Sequence, residues 1–222
     1  AVLPPAHLRR YDSAFGRQPE MLAFFSRLFG PYPFAGYTVV VTDDRLDIPL
    51  EAQGMSTFGS NFLTSDWHNV RLVAHELSHQ WFGNAVTAST WRDIWLHEGF
   101  ACYCEWLWSE ESGNRAADEH ARNHWKRLAG KPQDLVLGDP GPDLMFDDRV
   151  YKRGALLLHA LRLTIGDDTF FELLRTWVER HCYGSVTTEM FEALAAEVAG
   201  EPLDGLFDAW LRRRPLPDLP AV

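Results

Sequence analysis

The chain has 222 residues, 46% of them hydrophobic and 23% charged, and carries a formal net charge of −10. That length supports a sizeable core, and that mix excludes a disordered or fibrous protein. The acidic balance argues against phosphate contacts, so nucleic acid is not an expected partner, and no apolar run is long enough to span a bilayer, which predicts a soluble segment.

Pro4-Pro5 predict an irregular lead-in, and residues 19–29 read as a short amphipathic helix closed by Gly30-Pro31. Residues 37–42, Tyr-Thr-Val-Val-Val-Thr, form the clearest strand, bounded by Gly36 and Asp43-Asp44. Residues 48–64 carry Gly54 and Gly59 among apolar positions, which suits one or two short strands, one of them at a sheet edge. After Ser65 the pattern turns helical. Asp66 is an expected N-cap for a helix over 67–82, closed by Gly83-Asn84, and a second helix is expected over 96–111, ending at Gly113. Further helices are predicted over 116–128, 150–165, 168–181, 188–199 and 203–213. A small β region followed by a mostly helical remainder is an α+β order. Pro140-Gly141-Pro142 marks a loop; within one domain over 1–222, a lobe over 1–113 with the β region and the first long helices would precede a helical lobe over 114–222.

Three cysteines, Cys102, Cys104 and Cys182, make an odd count without C-x-x-C spacing, so neither a disulfide framework nor a thiolate metal site is indicated. Cys102 and Cys104 sit in an aromatic stretch and are expected to fill core space. The basic run Arg212-Arg213-Arg214 reads as a solvated helix end.

His75-Glu76-Leu77-Ser78-His79 fits H-E-x-x-H on a stretch predicted to be helical. Positions i and i+4 share a helix face, so both imidazoles can reach one ion, while Glu76 can hold a metal-bound water without ligating the metal. A catalytic zinc needs a third protein ligand and an open position. Glu98, with eighteen residues between it and His79, can return on the next helix to supply it, or can be an ordinary helix-start glutamate. His97 competes on residue type but points about a quarter-turn away from Glu98. Asp93 and Glu105 are candidates to accept the outer N–H of the ligating histidines, or are ordinary solvated carboxylates.

His-Glu-Leu-Ser-His-Gln-Trp-Phe-Gly-Asn-Ala-Val-Thr from His75, followed by Trp-Arg-Asp-Ile-Trp-Leu-His-Glu-Gly-Phe-Ala from Trp91, resembles the aminopeptidase N-like zinc metallopeptidases of the gluzincin clan. The flanking Trp81, Phe82, Gly83, Asn84, Thr87, Trp91, Trp95 and Gly99 carry the likeness as well as the candidate ligands, and it extends loosely from Phe29 to Leu211. It implies the thermolysin-like catalytic domain, without the family's N-terminal β domain and C-terminal helical domain, acting on peptides with one zinc ion held by His75, His79 and Glu98. His97 stands where the family usually has asparagine. Cobalt or manganese could bind the same donors.

On that resemblance, zinc lowers the pKa of a bound water to about 7, and Glu76 acts as general base and then acid. The family stabilises the oxyanion with a tyrosine in Tyr-x-x-Gly; Tyr151-Lys152-Arg153-Gly154 fits, although the middle residues differ from the common Glu-Lys. The family anchors the substrate amine with a glutamate in Gly-x-Met-Glu-Asn, whereas residues 48–55 here read Ile-Pro-Leu-Glu-Ala-Gln-Gly-Met. Aligning Glu51 keeps that carboxylate; aligning Gly54-Met55 puts Ser56 in its place. Glu51 is preferred, because it leaves a strand between the anchor and the metal helix. An endopeptidase or another hydrolase on the same site, and a non-catalytic scaffold, are the alternatives.

Overall fold

In the computed structural model, which describes residues 1–221, the opening of the chain is helical. Pro5–His7 form a 3-10 turn that leads into α1 (Leu8–Phe15). This corrects the expected irregular lead-in, and the reason is local. Proline suits the first turn of a helix, where no backbone N–H is needed, and Tyr11 stacks on buried Phe15 at 5.0 Å to fix the helix to the core. Next comes α2 (Gln18–Phe29), which ends where Gly30 takes φ +99.

Three short strands follow: β1 (Thr38–Val41), β2 (Leu50–Ala52) and β3 (Met55–Phe58). Their order is β1-β3-β2, with β3 parallel to β1 and antiparallel to β2, so β2 is the edge strand. Only Gln53 and Gly54 connect β2 to β3, and the φ of +71 at Gly54 is what so tight a hairpin demands.

Helix α3 (Trp67–Ser78) stops four residues before the predicted end. Past His79 the backbone bonds shift to Asn84 N→His79 O, Ala85 N→Gln80 O and Val86 N→Trp81 O, a wider turn than the α-helix, and Gly83 adopts φ +128. Asp66 precedes the helix in extended conformation, but its carboxylate makes no capping bond; Thr64 Oγ1 donates to it instead.

The strand β4 (Val86–Ala88), which the sequence pattern did not predict, leads to α4 (Trp95–Glu111), then α5 (Ala117–Ala129), α6 (Asp148–Ile165) and α7 (Asp167–His181). The equally unpredicted β5 (Gly184–Val186) pairs in parallel with β4 before α8 (Thr188–Ala199) and α9 (Asp204–Phe207), which passes into a π-helical turn over Asp208–Arg212. Three-residue strands are too short to show alternation, so only their tertiary partner reveals them. None of the described helices is long and apolar enough to cross a membrane.

The hydrophobic core is continuous from α1 to Leu211, so the helices beyond Pro140-Gly141-Pro142 share it with those before. Its centre is α4, buried from Trp95 to Ser109 at every position but His97. Cys102 and Cys104 are free thiols inside it. Arg212 and Arg213 are exposed and paired with Glu192 and Asp208.

Helix α6 crosses α4 at two glycines. A Cβ on Gly99 would stand 2.8 Å from the Gly154 Cα, and one on Gly154 would stand 2.7 Å from the Gly99 Cα. Backbone cannot yield as a flexible side chain does, so any side chain here pushes the helices apart. Gly154→Ala should lower stability by about 1–3 kcal/mol in urea denaturation. An unchanged midpoint would mean that the helices separate without cost.

Candidate active site

Arg71, His75 and His79 recur every four residues along α3 and its final turn, and so share one face. Arg71 and His75 meet Glu105 at 3.0 and 2.8 Å, whereas His75 and His79 approach Glu98 at 3.3 and 3.6 Å. Residue numbers rise along α3 as they fall along α4, so the two helices run antiparallel. That pairing carries Glu98, in the first turn of α4, back to the histidines.

His75, His79 and Glu98 are all buried, and each offers one donor atom within 4.8 Å of the other two. The outer ring nitrogens are already engaged: His75 Nδ1 donates to Glu105 Oε1 at 2.8 Å, and His79 Nδ1 donates to the Phe82 carbonyl at 2.9 Å. Both rings are thereby oriented so that Nε2 of each faces the Glu98 carboxylate, where a metal ion would take the place of a proton. Burial opposes charge on His75, yet its bonds to Glu105 and Glu98 outweigh that and raise its pKa to about 10. Burial also opposes charge on Glu98, but His79 and His75 hold it below its ordinary value. The pocket therefore attracts positive charge, which one divalent ion supplies in place of protons. Two imidazoles and a carboxylate suit zinc with an open coordination position, so the residues present fit the metal.

Glu76 is buried, and its Oε2 has no hydrogen-bonding partner among the described residues. Burial pushes its pKa up to about 7, against the pull of His75 and His79. A carboxylate so placed has a free oxygen beside the histidines and a proton affinity suited to exchange near neutrality.

Tyr151 lies in the first turn of α6, one turn before Gly154, and its ring packs parallel to His75 with centroids 6.1 Å apart. Burial, reinforced by Glu98, Glu51 and Glu76, raises its hydroxyl well above the usual phenol range and keeps it a proton donor. The Gly99–Gly154 contact is what brings this tyrosine beside Glu98.

Glu51 and Ser56 are register partners across β2 and β3, so both point to the same face of the sheet. Glu51 has a carboxylate oxygen within 4.8 Å of donor atoms on Glu76 and His79. Ser56 is 1% exposed, and its hydroxyl is paired with the Tyr37 hydroxyl at 2.6 Å. The structure thus brings Glu51, and not Ser56, to the histidine cluster.

Asp93 departs from the sequence-based expectation. Its carboxylate accepts from the Thr188 backbone N and Oγ1 and from Thr90 Oγ1, and touches neither histidine. It ties the start of α4 to the start of α8, because the turn before α4 faces β5 and not the metal helix. His97 likewise points elsewhere: its Nε2 accepts from Ala88 N at 2.7 Å, and burial, with His79 nearby, lowers its pKa to about 4. The sequence reading missed Gln80. Its side chain donates to Ala52 O at 3.0 Å and accepts from Gly54 N at 2.8 Å, clamping the hairpin that carries Glu51 onto the end of α3. The signal was a glutamine directly after the second histidine, in a motif read for its ligands alone.

The family profile described as the Peptidase family M1 domain matches residues 13–210. The chain belongs to peptidase family M1. It is 32% identical over 234 residues to an aminopeptidase N of Lactococcus lactis, covering 96% of this chain and 27% of that protein. It is 30% identical over 212 residues to aminopeptidase M1-D of rice, Oryza sativa, covering 84% of this chain and 24% of that one. Among solved M1 structures, a variant of the zinc metallopeptidase of Deinococcus radiodurans bound to a Tyr-Ser-Ala substrate superposes with a TM-score of 0.84 at 35% identity, covering 93% of this chain and 46% of that chain. The chain thus spans about a quarter of the length of the curated M1 relatives it matches.

Replacing Glu105 by Gln keeps its shape but loses the charge that orients His75. Zinc affinity, measured by competition with a chromophoric chelator, should fall about 10- to 100-fold while the circular dichroism spectrum is retained. Equal affinities would mean that Glu105 does not tune His75.

Proposed function

We propose that this chain holds one zinc ion through His75, His79 and Glu98 and hydrolyses the N-terminal peptide bond of peptides. The observation that carries this reading is the convergence of those three buried donors, their outer nitrogens already occupied, with the Glu51 carboxylate beside them. A zinc ion held by these three residues would supply polarisation of the scissile carbonyl and would lower the pKa of water at the site to about 7. Glu76 takes the proton from the attacking water through its unpartnered Oε2 and delivers it to the departing amine. The Tyr151 hydroxyl donates to the oxyanion that forms at the carbonyl. Glu51, on the edge strand, accepts the free α-ammonium of the substrate and sets the cut one residue from its end. The M1 relatives called aminopeptidases, and the one solved with a tripeptide substrate, support the same chemistry.

The reading predicts cleavage of aminoacyl-arylamides that a chelator abolishes and added zinc restores. Glu76→Gln should lower kcat roughly 100- to 10,000-fold, the range for a lost general base. N-acetylating the substrate should remove cleavage; an acetylated peptide cut as fast as the free one, with internal bonds broken in a mass-spectrometric digest, would instead mark an endopeptidase. Tyr151→Phe removes one hydrogen bond that matters only as the oxyanion forms. It should reduce kcat about 100-fold or more and leave KM nearly unchanged. A fall confined to KM would assign Tyr151 to substrate binding.

A further inference from the structure

Gln80 is fully buried just past the end of α3, directly after His79, and its amide is turned to the β2–β3 hairpin. Nε2 donates to the carbonyl of Ala52, the residue after Glu51, at 3.0 Å, and Oε1 accepts from the Gly54 backbone N–H at 2.8 Å. These two bonds need a donor and an acceptor on one side chain of this reach. Glutamine has both, ionised glutamate has no donor, and methionine has the length but only a weakly accepting sulfur. Two further bonds brace the clamp. The Tyr32 hydroxyl stands 3.3 Å from Gln80 Oε1, and its ring packs edge-on against buried Trp81 at 5.6 Å. Gln53, in the hairpin turn, donates from Nε2 to the Asn84 carbonyl at 3.2 Å, which ties the turn to the backbone beyond α3.

The substrate of an aminopeptidase makes such a clamp necessary. Its free amine and its scissile carbonyl carbon are joined through the α-carbon alone, by two bonds of about 1.5 Å each. A metal for the carbonyl and an anchor for the amine must therefore stand at one fixed separation, and a misplacement of about 1 Å can cost on the order of 100-fold in rate. Here the two come from different elements. His75 and His79 belong to α3 and its final turn, whereas Glu51 belongs to β2, a three-residue edge strand paired with β3 alone. A strand so short and so one-sided is weakly held by its own ladder. Gln80 joins the two, since its backbone follows a candidate ligand and its side chain grips the residue next to the anchor.

We infer that Gln80 is a positioning residue that fixes the gap between the metal site and Glu51, and so sets the cut one residue from the free amine. This role rests on the aminopeptidase reading and deepens it, because it names the side chain on which the preference for a free amine depends.

A double-mutant cycle in amine binding separates this role from plain packing. Calorimetry on the zinc-loaded Glu76→Gln protein, which binds without turnover, compares leucinamide with N-acetyl-leucinamide, and the ratio of the two affinities reports on the anchor. Adding Gln80→Met should lower that ratio about tenfold, as expected for lost hydrogen bonds to the hairpin, and leave zinc affinity unchanged. In a protein that also carries Glu51→Gln, the same change should not alter the ratio, since the carboxylate it positions is gone. Equal effects in both backgrounds, or an undiminished ratio in Gln80→Met, would overturn the inference. Should Gln80→Met fail to fold, Gln80→Asn keeps the amide but is one carbon too short to span both groups. It should lower the ratio in the same Glu51-dependent way, and an undiminished ratio there would overturn the inference equally. No preference for the free amine before Gln80 is changed, with no cleavage of a leucyl-arylamide by the unaltered protein, would overturn the aminopeptidase reading; a preference that persists without Gln80 overturns only the role of Gln80.

Discussion

Gly99 and Gly154 let the backbones of α4 and α6 touch, and the approach of Tyr151 to Glu98 and the histidine cluster follows from that contact. The next-door neighbour of one glycine is Glu98, and one turn before the other is Tyr151. With any side chain between them the tyrosine would move away from the carboxylate, because a packed core transmits such a shift without absorbing it. The same crossing sinks α4 so deeply that nearly all of it is buried, including two glutamates that water would otherwise have kept at the surface.

Burying Glu76, Glu98 and Glu105 with two imidazoles is tolerable only because each charge has somewhere to go. Glu105 is held by Arg71 and His75, Glu98 faces both ring nitrogens, and Glu76 alone keeps an unsatisfied oxygen. The unsatisfied atom is the informative one. A fold that pairs its other buried carboxylates around this cluster leaves one oxygen of Glu76 open beside the two histidines.

Charge is also sorted along α3. Its C-terminal end meets the carboxylate of an edge strand, clamped there by Gln80, and one turn before His75 its Arg71 pairs with Glu105. β2 makes this arrangement accessible, since an edge strand offers one unpaired side to a ligand.

Much of this was legible in the sequence. Long amphipathic stretches announce themselves by period, so α2, α3, α4 and the later helices were predicted close to where they lie, as were the strand at residues 38–41 and the edge strand holding Glu51. The H-E-x-x-H spacing put His75 and His79 on one helix face because a helix repeats every 3.6 residues, which is a local fact. What tertiary structure alone decided was everything set by partners distant in the chain. The β4–β5 pairing joins segments nearly a hundred residues apart, and Asp93 turned to Thr188 and not to a histidine because of it. The helix over 67–78 ended early because the Phe82 carbonyl was needed at His79, and Glu51 rather than Ser56 reached the cluster because Gln80 clamps the hairpin there. Sequence periodicity fixes which face of an element turns inward; which other element meets that face is settled only when the core closes.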